Sequence, residues 1–281
     1  MNTKNIFAAA ALLAGLCTLG TAAAQGPFPA EDLNISEIRD GIYRVGSSDA
    51  GNVTVFTSDS GVLAVDSKFE RQYDAYIEMI RGVTDQPVKY LINTHMHPDH
   101  AGGNARFEAD NAVIVGQENM RKRLADAQPN GLPIFTFDDH MRMYFAGKTF
   151  DLYWFGRGHT DGDLVIHIPE ERIVMTGDLF AGNGVRVIDP AGGGSLHDLP
   201  GTLAKILELD FDTVIPGHMP VTNRAELEAF YEQSVRVNEF VSELVQAGRA
   251  PQEIQQALTA EFGQFGVFVF GNFGTIVDEF K

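Results

Sequence analysis

Apolar, β-favouring residues recur over residues 42–45, 52–57 and 62–66, three short β-rich runs separated by Gly, Ser and Asp turns. Residues 69–83 change to helical spacing, with Tyr73, Tyr76, Ile77 and Ile80 on one stripe. Residues 88–93 read as a buried strand, 112–116 as another, and 118–127 as a helix. Beyond a Pro/Gly-broken loop at 128–137, the pattern predicts two strands within 143–155 around Ala146-Gly147, then strands at 164–168 and 172–176. A Gly-rich loop at 182–194, a helix at 197–209 and a strand at 213–215 follow. Helices at 224–247 and 252–262, broken by Gly248 and Pro251, come last. Strands followed by helix, twice over, predict two α/β halves packed together with helices outside. No period of solenoid length is evident.

The run at 88–93 ends in Thr94-His95-Met96-His97-Pro98-Asp99-His100, followed by Ala101-Gly102-Gly103-Asn104. Two alternating histidines at a strand end point the same way, because side-chain direction there has period two. Pro98 forces a turn and the glycine pair tightens it, which brings Asp99 and His100 to the same place. Three further candidates follow predicted strands: His159 in Gly158-His159-Thr160-Asp161-Gly162-Asp163, Asp178 in Thr176-Gly177-Asp178, and His218 in Pro216-Gly217-His218. Five imidazoles and two carboxylates form a nitrogen and oxygen donor set suited to Zn²⁺, with iron or manganese possible. His140, His167 and His197 are expected to be structural, His167 on a solvent-facing strand position and His197 near a helix start. Asp161 and Asp163 are expected to shape a turn.

Taken in order, these motifs resemble the metallo-β-lactamase superfamily across nearly the whole chain beyond residue 24. They are Asp66 at a strand end, the His-x-His-x-Asp-His of residues 95–100, then His159, Asp178 and His218. The resemblance implies an α/β fold, a four-layer αββα sandwich with a two-metal site in a shallow groove between its halves. It implies two Zn²⁺ per chain, the first on His95, His97 and His159, the second on Asp99, His100 and His218, with Asp178 bridging. Asp66 would hydrogen-bond near the ligands, as metal-bound imidazoles require. Two metals about 3.5–4 Å apart share a hydroxide and bring its pKa towards roughly 7. His95, His97 and Asp99 would then be the catalytic residues, Asp99 orienting the nucleophile as well as ligating.

The likeness also has departures that bear on substrate. Familiar β-lactamases of the superfamily carry cysteine where Asp178 stands and a lysine soon after, whereas here Leu179, Phe180, Ala181 and Gly182 follow. Asp178 is instead similar to glyoxalase II, the lactonases and other broad hydrolases. Asn183 and Arg186 are the candidates for a substrate oxyanion and carboxylate, with plain loop structure as their competing role. Residues 132–137 and the Phe-rich 265–273 are candidates for groove walls, or else for core.

Composition adds compartment and partners. Residues 1–24 carry Lys4, an apolar run at 6–19 and Ala22-Ala23-Ala24, which reads as a secretory signal ahead of one mature domain at 25–281. Its removal would place the protein in the periplasm or outside the cell, without Cys17, the sole cysteine. Lys4 is the only charge in that segment, so the net charge would pass from −17 to −18. Such acidity argues against nucleic acid and anionic membrane as partners and leaves a small-molecule substrate. The sequence therefore predicts an exported dinuclear zinc hydrolase of cyclic amides or esters, with β-lactamase activity as the first expectation. A lactonase or thioesterase comes second, and a non-catalytic exported zinc-binding protein is a remote alternative.

Overall fold

The computed structural model describes residues 32–263 and 266–281, so the expected signal at 1–24 and Phe265 lie outside the described residues. One sheet runs in chain order through β1 (Asn34–Arg39), β2 (Ile42–Gly46), β3 (Val53–Ser58), β4 (Gly61–Val65), β5 (Val88–Ile92), β6 (Val113–Gln117) and β7 (Phe135–Phe137). Neighbours are antiparallel up to β4 and parallel from β4 to β7. The parallel crossovers carry the helices α1 (Tyr73–Arg81), α2 (Pro98–Ala101), α3 (Asn104–Ala109) and α4 (Glu118–Ala127).

The second sheet contains β8 (His140–Phe145), β9 (Lys148–Tyr153), β10 (Val165–Ile168), β11 (Ile173–Gly177), β13 (Thr213–Pro216) and β14 (Thr222–Asn223). Its order is β14-β13-β11-β10-β9-β8. A separate parallel pair joins β12 (Arg186–Ile188) to β15 (Val267–Val269). Four helices follow β12 in the chain: α5 (Leu199–Leu207), α6 (Arg224–Gln246), α7 (Pro251–Phe262) and α8 (Phe273–Asp278).

Period-two alternation divides the core between the layers. Leu63, Val65, Ile92 and Val115 of the first sheet meet Ile166, Ile173, Met175 and Ile215 of the second. On the first sheet's other face, Val55, Ala64, Leu91 and Ile114 pack on Tyr73, Tyr76, Ile80 and Phe107 of α1 and α3. On the second sheet's other face, Val165, Val174 and Val214 pack on side chains of α5 to α8, such as Leu203, Phe230, Ile254 and Ile276. The expected αββα sandwich results. Among the described residues no helix is long and apolar enough to cross a membrane.

Besides elements for which the pattern gave no expectation, such as β1, α3 and α8, three places differ from it. Residues 135–137 form an edge strand rather than loop, and 186–188 form β12 inside the Gly-rich segment. Both are three residues long, too short for alternation to register. His167 does not face solvent: it is buried on the helix-covered face beside Val165, and its Nε2 meets the Asp210 carbonyl at 2.9 Å. Both faces of that central strand are covered, so an alternation argument for exposure fails there.

Candidate metal centre

The site lies where β5, β11 and β13 end. Beyond β5 the chain passes through Asn93, Thr94 and His95; His97 then caps α2, with Pro98 at the first helical position. Asp178 follows β11 directly, and His218 follows β13 by two residues. Glycine permits the crowding: a β-carbon at Gly51 would overlap the His100 ring, and one at Gly217 would overlap Asp178 Oδ1.

The partner of each remote ring nitrogen fixes which nitrogen carries the proton. His97 Nε2 donates to Asp189 Oδ2 at 2.9 Å, and His159 Nδ1 donates to the Val187 carbonyl at 2.8 Å. His95 Nδ1 meets the Thr94 hydroxyl at 3.1 Å, and that hydroxyl already donates to Asp66 at 2.7 Å, so it accepts from the ring. The neutral rings of His95 and His159 therefore turn bare Nε2 lone pairs inwards, where they meet His97 Nδ1. The three nitrogens converge, with His97 Nδ1 only 2.8 Å from His159 Nε2 and 3.2 Å from His95 Nε2. Nitrogens this close need a proton or a metal cation between them. Burial holds His95 well below the usual imidazole range and lowers His159 to about 4, so both rings are neutral, as ligands must be.

The second set is built from opposite charges. His100 Nε2 lies 3.4 Å from Asp99 Oδ2, 3.4 Å from Asp178 Oδ1 and 3.5 Å from His218 Nε2. His218 Nε2 lies 3.1 Å from Asp178 Oδ2 and 3.3 Å from Asp99 Oδ2. Burial works against charge on both rings, yet the carboxylates raise them, His100 well above the ordinary value. Asp178, also opposed by burial, is held well below the usual carboxylate range by His218 and His100. Its Oδ2 is also 3.7 Å from His159 Nε2, so it stands between the two sets. Asp178 Oδ1 is buried without a hydrogen-bond partner, which suits an atom reserved for a metal. His95/His97/His159, His95/His100/Asp178 and Asp99/His100/His218 each keep their donor atoms within 4.8 Å of one another. The donor set fits divalent metal.

Asp66 underlies both sets. It is buried in the left-handed region at φ 65°, accepts from the Thr94 N–H and hydroxyl at 2.7 Å each, and meets His100 Nδ1 at 2.8 Å. A non-glycine residue at positive φ is strained by about 1–3 kcal/mol and persists where its surroundings over-determine it.

All seven expected ligands and Asp66 are thus brought together, but the two expected substrate contacts separate. Asn183 lines the groove over the cluster, its Oδ1 accepting the Val185 N–H at 3.0 Å. Arg186 requires correction: it is 1% exposed and points into the helix layer. Its Nε donates to Ser234 Oγ at 2.9 Å, and its Nη atoms donate to the Gly184 and Phe230 carbonyls at 2.9 and 3.1 Å. A guanidinium on a three-residue strand has to turn to one side, and here the packing face wins.

Sequence reasoning missed Asp189 and the Val187 carbonyl, which orient His97 and His159. It assigned the loop but had no local signal for either role, since Asp189 beside Pro190 reads as a turn residue. The other histidines lie apart: His140 pairs with Asp151 at 3.0 Å, and the exposed His197 pairs with Asp198 just before α5. Asp161 holds Arg123 in a fork, and Asp163, raised to about 8 by burial, accepts from the Thr160 N–H and hydroxyl in the turn after His159.

Many known proteins are similar to this chain in sequence or fold. The chain is 29% identical over 203 residues to the 2,4-dinitroanisole O-demethylase subunit alpha of Nocardioides sp. (strain JS1661), covering 69% of this chain and 58% of that one. It is 26% identical over 200 residues to a beta-lactamase-like protein 2 homolog of Caenorhabditis elegans, 68% of this chain and 65% of the other. A type 2 metallo-beta-lactamase of Elizabethkingia meningoseptica matches at 25% over 155 residues, 52% of this chain and 61% of that one. In each case the chain spans less than two thirds of the relative's length. The fold superposes on a metallo-beta-lactamase from Pontibacter korlensis with TM-score 0.64 at 20% identity, over 72% of this chain and 98% of the other. It superposes equally on the DIM-1 metallo-beta-lactamase, with TM-score 0.64 at 17% identity, over 73% and 98%. The metallo-beta-lactamase superfamily profile matches residues 48–218, and the chain belongs to that superfamily.

Proposed function

We propose that the protein is a hydrolase of esters, lactones and strained amides that works with two divalent metal ions, zinc by the nature of its donors. The observation that carries this reading is the convergence of three imidazole nitrogens, on His95, His97 and His159, next to a second set centred on Asp99, His100 and His218. A bound pair of such ions supplies activated water at neutral pH and polarises a scissile carbonyl. Asp99 lines the groove and is the carboxylate placed to orient the attacking water and hold its proton. Asp189 and the Val187 carbonyl keep His97 and His159 in the ligating tautomer throughout.

The burial of Arg186 removes the cation that a β-lactam carboxylate would use, so lactones and esters become the favoured substrates, with β-lactam turnover as a side activity. The relative named for 2,4-dinitroanisole O-demethylation adds aryl ethers to what should be tried. The test combines metal analysis with a hydrolysis panel: a homoserine lactone, a thioester, a chromogenic cephalosporin, a carbapenem and 2,4-dinitroanisole. Two zinc ions per chain with lactone or thioester turnover are expected. One iron per chain, or no rate above buffer on any substrate, overturns the reading. Export to the periplasm or medium rests on residues 1–24 alone; a mature N-terminus at Gln25 in secreted material is the expected result.

A further inference from the structure

Above the metal cluster lies a groove of about 530 Å³ whose walls differ in chemistry. Its floor is the cluster itself with Asp189. Its rim carries Phe69, Phe268 and Phe270. Phe268 and Phe270 are 52% and 46% exposed and stand edge-on at 5.2 Å, and the Phe270 ring is 5.4 Å from the His97 ring. Two half-exposed phenyl rings beside a metal centre are an apolar surface awaiting an occupant.

The rings are not on a loose arm. Phe268 lies within β15, which pairs with β12, and the Phe270 N–H donates to the Ile188 carbonyl at 2.9 Å. Ile188 immediately precedes Asp189, the residue that orients His97, so ring and ligand are fixed to one backbone segment.

Among the described residues, none that lines this groove is lysine or arginine. Arg186 is turned into the helix layer, and Arg71, stacked 4.1 Å from the Phe69 ring centre, is paired with Asp49 at 2.6 Å. A substrate carboxylate held against the phenyl rings would lose water and gain no guanidinium or ammonium partner there, an unfavourable exchange.

We propose that Phe69, Phe268 and Phe270 form an acyl subsite that selects uncharged substrates with an apolar arm over substrates carrying a carboxylate there. The proposal rests on the hydrolase reading only where turnover is used to test it. A matched pair of esters differs in the arm alone: 4-nitrophenyl butyrate and the 4-nitrophenyl monoester of succinate. The corresponding anilides, butyranilide and succinanilate, are resistant to hydrolysis and report binding by calorimetry.

For the metal-loaded protein, kcat/KM is expected to favour the butyrate ester by about tenfold or more, a difference of the size that one pocket contact gives. Phe268→Ala and Phe270→Ala should each raise KM for the butyrate ester about tenfold with kcat nearly unchanged, and raise the butyranilide Kd alike. Phe270→Leu should restore most of the loss, which a displaced His97 would not allow. The same Kd changes are expected in metal-free protein. Equal or better use of the succinate ester, equal or tighter binding of succinanilate to the metal-free protein, or butyranilide binding indifferent to both alanine variants overturns the subsite. Absence of turnover with both esters while butyranilide still binds through the phenylalanines overturns the hydrolase reading and supports the subsite.

Discussion

The two halves of the metal centre are assembled on opposite principles. His95, His97 and His159 are three rings whose inward nitrogens are forced together by partners behind them: Thr94, Asp189 and the Val187 carbonyl. Asp99, His100 and His218 are drawn together by their own charges, and share Asp178. The first set is incomplete without a cation; the second is a network of ion pairs that holds its shape alone. The organisation of the first therefore depends on residues outside it, and that of the second on the carboxylates inside it.

Asp178 stands between the two sets, reaching His100, His218 and His159, so its removal should have the largest effect. Asp178→Ala is expected to reduce turnover to background and to empty both half-sites, whereas His159→Ala should weaken only the first. Metal content by mass spectrometry under native conditions separates these outcomes. An Asp178 variant retaining one tightly bound metal would show that the halves are independent and break the comparison.

Next come the residues that orient ligands. Asp189→Ala leaves His97 Nε2 without its acceptor, and a loss of about 10–100-fold in metal affinity or activity is expected, confined to the first set. Asp66→Asn should act on both, because one carboxylate serves His100 directly and His95 through the Thr94 hydroxyl. Stepwise chelation followed by metal titration reads the two affinities, and equal effects of the two variants on both would contradict the arrangement.

In metal-free protein the halves should also respond oppositely to pH. His159 has a folded pKa of about 4 against an ordinary 6.5, so below pH 6.5 the unfolded chain takes up a proton that the folded chain does not. Stability from this group is present above 6.5 and is lost as pH falls towards 4. His100 is raised, so its contribution is present below its unfolded value and is lost as pH rises through its folded one. The stability difference between wild type and His159→Gln should therefore shrink on acidification, by about 2 kcal/mol between pH 6.5 and pH 5. Urea unfolding at the two pH values checks this, and a difference independent of pH would mean that His159 is not buried neutral.

Both the fold and the cluster of candidate ligands were legible in the sequence for local reasons. His95 to His100 concentrate four donors in six positions, and the buried strands leading to them carry clear apolar runs. What was not legible depends on contacts between distant segments. Asp189 acquires its role only because folding brings it to His97, 92 positions away. β12 and β15 exist because each pairs with the other, and neither has enough residues to show alternation. Arg186 illustrates the limit of reading charge as function: its fate was decided by Ser234 and Phe230 of α6, residues that no local pattern connects to it.

Arg186 also supplies the smallest effect on catalysis. Its hydrogen bonds to Ser234, Gln233 and the Phe230 and Gly184 carbonyls tie β12 to α6 and the Gly184 turn, and its guanidinium lies 4.5 Å from the Phe230 ring centre. Lysine cannot reproduce that fork, so Arg186→Lys should cost about 2–4 kcal/mol of stability through the unsatisfied Ser234 and carbonyl groups. The ratio of kcat/KM for neutral over anionic esters should nevertheless stay within about twofold, since the guanidinium does not face the groove. Thermal unfolding and the matched ester pair measure both. A specific fall in turnover of the anionic ester, with stability intact, would return Arg186 to the substrate site. It would also mean that the aromatic rim and the metal floor share the groove with a cation after all.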